Sequence, residues 1–196
     1  MHLVRVVLVI PFLLLTAVAS FAQQPGPEFL RKLSCIPYEP RTQLESLESK
    51  VGVVVLRGFS QMMTTEVRGV RIDAVEMRML GTTVRAKGIV FVLRENPERP
   101  EDNRAFVDYQ DIDELVKAID TLAAVDENST KLVGFEAHYR TVGDLELRVF
   151  RQTQRGTAVT LQTGICNHAT QSISLDELAK VKALILEAKG RLDQIR

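Results

Sequence analysis

The chain has 196 residues, 45% of them hydrophobic and 26% charged, with 25 basic side chains balanced by 25 acidic ones. That is enough apolar material for one packed domain, or for one domain built of two fused halves. The balanced charge supplies no overall pull towards nucleic acid or an anionic membrane, and the lack of Trp with only 6% aromatic residues argues against stacking on sugars or bases.

The first element is an apolar leader. Arg5 gives a positive start, residues 6–18 form an apolar run broken only by Pro11 and Thr16, and Ser20-Phe21-Ala22 puts small residues at both recognition positions of a cleavage site. This is the pattern of a secretory signal peptide over residues 1–22, so the mature protein is expected to be secreted or periplasmic, with no membrane attachment after cleavage. The rival reading is a retained anchor, for which the uncharged stretch is marginal against the ~20 residues a spanning helix needs. Cleavage leaves 174 residues carrying 24 basic and 25 acidic side chains, a formal charge of −1. In an oxidising compartment Cys35 and Cys166 form either a disulfide closing a long loop, contributing ~4 kcal/mol if unstrained, or two separately buried thiols.

Residues 23–49 contain Pro25, Pro27, Pro37 and Pro40 and read as a lead-in outside the core, with at most a turn or two of helix. Residues 51–56 are a β-branched run of the kind buried on both faces of a sheet. Val70, Ile72 and Ala74 then alternate with Arg71 and Asp73, while Val75, Met77 and Met79 alternate with Glu76 and Arg78. The phase slips at Ala74-Val75, which predicts a β-bulge. Gly81 stands where the first central position of a two-residue hairpin turn is expected, with residues 85–94 as the return strand. Residues 95–104 form a polar loop whose acidic side chains are read as solvated rather than as a cation site, and residues 105–109 supply a short strand.

One tract is written twice. Asp111-Ile112-Asp113-Glu114-Leu115-Val116-Lys117 and Ser174-Leu175-Asp176-Glu177-Leu178-Ala179-Lys180 match position by position, each behind strand-like sequence. Asp111 and Ser174 are read as N-caps with Glu114 and Glu177 at capping-box spacing. Ile112, Leu115, Val116, Ile119, Leu122 and Ala123 fall on one face of the first helix, and Leu178, Val181, Ile185, Ala188, Leu192 and Ile195 on one face of the second. Residues 131–141, 144–152 and 156–163 and the tripeptide Gln171-Ser172-Ile173 read as strands. The fold class is therefore α+β, with antiparallel sheet and two long helices, in which residues 50–196 form a single domain of two ββββα repeats at about 50–128 and 129–196. In the second repeat, a three-residue loop Thr141-Val142-Gly143 with Gly143 at positive φ is expected. It sets Arg140 opposite Asp144, His138 opposite Glu146 and Glu136 opposite Arg148.

This duplicated ββββα layout resembles the Whirly family and the related transcriptional-coactivator type of single-stranded-DNA-binding domain. The resemblance covers most of residues 50–196 as element order only, and no sequence motif carries a DNA-contact residue to this chain. It implies single-stranded nucleic-acid binding by fold analogy. Opposing this are the leader and strand faces that mix signs, Arg71, Asp73, Glu76 and Arg78 on one and Glu146 and Arg148 on another, where a phosphate-tracking surface needs segregated cations. The chain also looks like uncharacterised secreted bacterial proteins that pair a strand-rich body with Asp-Glu-Leu-capped helices.

Chemistry-bearing residues are sparse. His138 lies between Ala137 and Tyr139 on a strand and reads as a solvated sheet histidine. Cys166 and His168 in Gly164-Ile165-Cys166-Asn167-His168 are the weak catalytic candidates, either as nucleophile and base or as metal ligands. Their spacing matches no usual zinc pattern, and a Cys-His pair needs a third orienting group. Met62, Met63, Met77 and Met79 read as core filler. No cofactor, metal or nucleic acid is expected. The sequence points first to an extracytoplasmic, non-enzymatic module that binds a protein or small ligand or plays a structural role, with an enzyme using Cys166 and His168 as an alternative.

Overall fold

The computed structural model describes residues 39–64, 67, 69–94, 103–152, 156–164 and 169–195. The leader, Cys35, Cys166 and His168 lie outside the described residues. Among the described residues no helix is long and apolar enough to cross a membrane.

The first half contains helix α1 (Gln43–Glu48), strands β1 (Val55–Met62), β2 (Val70–Met79), β3 (Arg85–Leu93) and β4 (Asn103–Asp108), and helix α2 (Ile112–Ala123). The second contains β5 (Glu136–Arg140), β6 (Leu145–Gln152), β7 (Gly156–Thr163), β8 (Ala169–Ile173) and helix α3 (Leu175–Asp193). Each half makes an antiparallel four-stranded sheet in sequential order, β1-β2-β3-β4 and β5-β6-β7-β8. The α+β reading and the ββββα order of each half hold.

The shared core lies between the two sheets. Ile72, Ile89, Phe91 and Val107 of the first sheet meet Leu145, Leu147, Val149 and Leu161 of the second, and both helices bury their apolar stripes there. Leu115 and Leu178, the equivalent leucines of the repeated tract, are fully buried in this core. The helices are exchanged. α2 packs on β5 and β6 of the second sheet, while α3 packs chiefly on β2, β3 and β1 of the first. They also run along each other in opposite directions, joined by Lys189 to Asp113 at 3.0 Å and by a Lys182–Asp120 ion pair.

A second, smaller core covers the other face of the first sheet. Leu44 and Leu47 of α1 pack against Val75, Met77, Val90, Val92 and Phe106. The lead-in therefore ends in core structure, which corrects the expectation that residues up to 49 stand outside it. Thr42 and Glu45 form a capping box on α1, and the buried Asp108 carboxylate accepts from the backbone N–H of Gln43 at 2.7 Å and of Leu44 at 3.2 Å. Four acceptor contacts thus satisfy the first amides of a helix only six residues long.

This second core also explains the phase slip in β2. The strand pairs with β1 and β3 in unbroken register, so there is no bulge at Ala74-Val75. Val70, Ile72 and Ala74 face the shared core, while Val75 and Met77 face the α1 core. One straight strand changes which of its faces is apolar because different elements cover the two faces.

Three local expectations fail. The run at residues 51–54 is not a buried strand: Val51 is 93% exposed, and β1 starts at Val55. Gly81, at φ +79°, is the second central residue of a turn closed by the Thr82 N–H donating to the Met79 carbonyl at 3.2 Å, a type II arrangement. Asp111 makes no side-chain capping bond, because a 3-10 turn (Tyr109–Asp111) precedes α2 and holds Asp111 in a helical conformation, whereas Ser174 caps α3 with a full capping box to Glu177.

The β5–β6 hairpin keeps its predicted faces but slides by two residues. Arg140 pairs with Glu146, His138 with Arg148 and Glu136 with Phe150. The loop is Val142-Gly143-Asp144, and Asp144 rather than Gly143 takes positive φ, at 66°. Gly143 is held by another demand: its carbonyl accepts from the Phe106 N–H at 2.9 Å, and a Cβ there would sit 2.0 Å from the Phe106 carbonyl oxygen. Close approach of the hairpin tip to β4 requires a glycine at 143, so the left-handed position falls to Asp144, a residue type that tolerates it. The Asp144 carboxylate is then paired with Arg41 at 2.9 Å.

Candidate functional site: the open edge of the first sheet

The polar outer face of the second sheet is a closed ion network. Glu146, only 4% exposed, accepts from Arg140 Nε at 3.0 Å and from Arg148 Nη2 at 2.6 Å, and Arg148 reaches Glu136 at 3.3 Å. Burial opposes ionisation of Glu146, but the hydrogen bonds from Arg148 and Arg140 outweigh it and hold the carboxyl below its ordinary value. His138 is exposed on this face opposite Arg148. Among the described residues the network pairs Glu146 with Arg140 and Arg148, and Arg148 with Glu136.

One member of each repeated acidic pair is also structural. Asp113 binds Lys189 across the helix pair, and Glu177 closes the α3 capping box. At the end of α3, Tyr109 Oη donates to Asp193, and Lys87 lies 4.2 Å from the Tyr109 ring centroid while donating to the Leu192 carbonyl at 3.1 Å. The bond to Asp193 raises the Tyr109 pKa, with burial adding to it, so this phenol is a hydrogen-bond donor rather than a base. Among the described residues no group of three or more His, Cys, Asp or Glu side chains is placed to hold a metal ion. Met62 and Met77 are buried as expected of core filler, but Met63 is 66% exposed.

The exposed apolar residues point elsewhere. Val53, Val54, Leu56, Phe59 and Met63, between 44% and 66% exposed, lie along or beside β1. β1 is the outer strand of its sheet, and among the described residues no strand pairs with its free side. Its register fixes which backbone groups face outward. The Leu80 N–H donates to the Val54 carbonyl at 2.9 Å, so Val54 and every second residue after it bond to β2. Val55, Arg57, Phe59 and Gln61 therefore turn their N–H and C=O groups to the open edge.

The other three edges differ. β4 is met by the hairpin tip through Phe106 and Gly143. β5 is five residues long and carries the exposed charged or titratable side chains Glu136, His138 and Arg140, and β8 is also only five residues long. β1 has eight residues, no Pro or Lys and a single charge, Arg57, and its register with β2 runs unbroken. Among the described residues it lacks the devices by which sheets protect their edges. Arg57 lies over Phe59, its guanidinium carbon 5.3 Å from the ring centroid, with Nη2 3.8 Å from the buried Asp73. Among the described residues its buried Nε has no hydrogen-bond partner.

On the other face of the β1 edge, Gly58, Ser60, Ala74 and Glu76 line an open cleft of about 360 Å³ with Arg191, Gln194 and Ile195 at the end of α3. Sequence reading starts β1 four residues too early, because its clearest strand signal, the valine run, ends where the strand begins. The signal that could have located it is the pairing pattern of residues 72–79, which needs an antiparallel partner reaching Met62.

Comparison of the chain with known protein families, with characterised proteins and with solved structures found no match.

Proposed function

We propose that this protein is an extracytoplasmic, non-enzymatic binding module that engages a polypeptide by strand addition at β1. The observation that carries this reading is the eight-residue edge that no described strand pairs, whose outward backbone groups are flanked by exposed Leu56 and Phe59. An added strand gains main-chain hydrogen bonds from the edge and side-chain contacts on both faces, the recognition mode of strand-augmented complexes. The leader pattern of residues 1–22 supports an extracytoplasmic setting.

The test is a photo-crosslinking amino acid at position 59, with the same group at the exposed position 138 as control. An adduct specific to position 59, whose purified partner binds the wild type but not a Gln61→Pro variant, is the expected result. Equal labelling from both positions would sink the proposal.

A second reading, single-stranded nucleic-acid binding, is supported by the ββββα element order that is similar to Whirly domains. Its expected outcome here is weak, nonspecific binding, because Arg71, Arg78, Arg140 and Arg148 each lie within 4 Å of a carboxylate. Saturable anisotropy binding of single-stranded DNA well below a micromolar, with a steep salt slope, would put this reading first.

A further inference from the structure

Resting on the strand-addition reading, we infer that the polypeptide that covers β1 is a second copy of this chain, paired antiparallel about a two-fold axis at Phe59. The outward groups belong to Val55, Arg57, Phe59 and Gln61, so a partner strand must align odd residues with odd residues to form the ladder. An axis through Phe59 does this. It sets Phe59 against Phe59 and Arg57 against Gln61 on one face, with Val55 opposite the exposed Met63 just beyond the strand. On the other face Leu56 stands opposite Met62, whose side chain is already buried in the shared core, and the small residues Gly58 and Ser60 meet at the centre.

Charge and apolar matching together select this axis over its neighbours: an axis at Ser60 also separates the arginines, but it sets Phe59 against Gln61 and loses the Phe59 pair. An axis at Arg57 would place two guanidinium groups directly opposite, and one at Gly58 would make them diagonal neighbours. With the axis at Phe59 the two arginines stand four positions from direct opposition, about 13 Å along the strand. Each keeps its own Asp73 and meets a neutral carboxamide that can accept from it. Phe59, 56% exposed in the single chain, then stacks on its symmetry mate and continues the apolar face already formed by Val75 and Met77. A two-fold interface of this kind is self-complementary by construction. The near-zero net charge of the chain opposes such association only weakly.

Sedimentation velocity of the purified secreted protein across the micromolar range tests this directly. The wild type is expected to form a dimer, and Phe59→Lys, which replaces the stacked Phe59 pair by two ammonium groups on the axis, is expected to raise its dissociation constant ~10-fold. Phe59→Cys is expected to give an intermolecular disulfide above the wild-type level. Should Phe59→Lys fail to fold, Gln61→Lys sets a like charge against Arg57 and should weaken the dimer in the same way. A monomeric wild type, or a dimer that these lysines leave intact, overturns the inference. A dimer that Phe59→Lys breaks but Phe59→Cys does not cross-link overturns the axis at Phe59. If the chain is monomeric yet position 59 photo-crosslinks a different polypeptide, the strand-addition reading stands and only the identity of its partner falls; with neither dimer nor adduct, both fall.

Discussion

The two sheets share an element order but not an environment. The first is buried on both faces, by the shared core on one side and by α1 on the other, while the second buries one face and leaves the other as an ion network. The difference traces to six residues of helix outside the repeat. With α1 in place, Val75, Met77, Val90 and Val92 become core positions. Their counterparts on the outer face of the second sheet include Glu146, Arg148, Thr160 and Gln162. α1 lies chiefly on β2, β3 and β4, and of β1 only the part-buried Val55 joins the core beneath it, which leaves the first sheet with both the more buried centre and the more exposed edge.

The largest predicted effect asks whether the α1 side is a true core. Leu44→Ala and Leu178→Ala should each cost about 2–5 kcal/mol in denaturant unfolding, the range for a buried leucine. His138→Ala, on the outer face of the second sheet, should stay within about 0.5 kcal/mol. If Leu44→Ala behaved like His138→Ala, the contrast between a two-sided and a one-sided sheet would collapse.

The junction between the halves comes next. Gly143→Ala drives a Cβ into the Phe106 carbonyl and should cost roughly 1–3 kcal/mol, the usual cost of overpacking. The same substitution at Gly134, where nothing lies within 4 Å, should have little steric effect. Thermal unfolding of the pair tells whether the hairpin tip is a required contact.

Smaller still is the contrast between the two helix starts. Ser174→Ala removes a capping box and should cost on the order of 1 kcal/mol. Asp111→Ala should be neutral or mildly stabilising at neutral pH. Burial, with Asp108 and Glu114 nearby, raises the pKa of Asp111 in the folded protein, so its charged form is disfavoured there. Equal losses at both positions would mean that Asp111 does act as a cap in solution.

The smallest effect is a pH dependence confined to the second sheet. Glu146 is held below its ordinary value of 4.5, so its contribution is present above that value and lost as pH falls through the lower folded one. Glu146→Gln should therefore be less stable than the wild type at neutral pH, with the gap closing as the solution is acidified below about pH 4.5. A gap that persists unchanged in acid would show that the carboxylate charge contributes nothing.

Periodicity alone determined the class and order of the elements. The 3.6-residue stripes of α2 and α3 and the alternation of β2, β6 and β7 are local consequences of which side chains must leave water, so they can be read without a partner. The capping box at Ser174 is equally local, and it was legible. Asp111 shows the limit: the same tract fails to cap when the preceding backbone is drawn into a 3-10 turn. Tertiary structure alone decided that each helix lies on the other half's sheet, that β2 serves two cores, that Gly143 is needed for a close contact, and that β1 is left open. Each depends on what packs against a residue from far along the chain, and an alternating strand carries no record of which element will cover its second face.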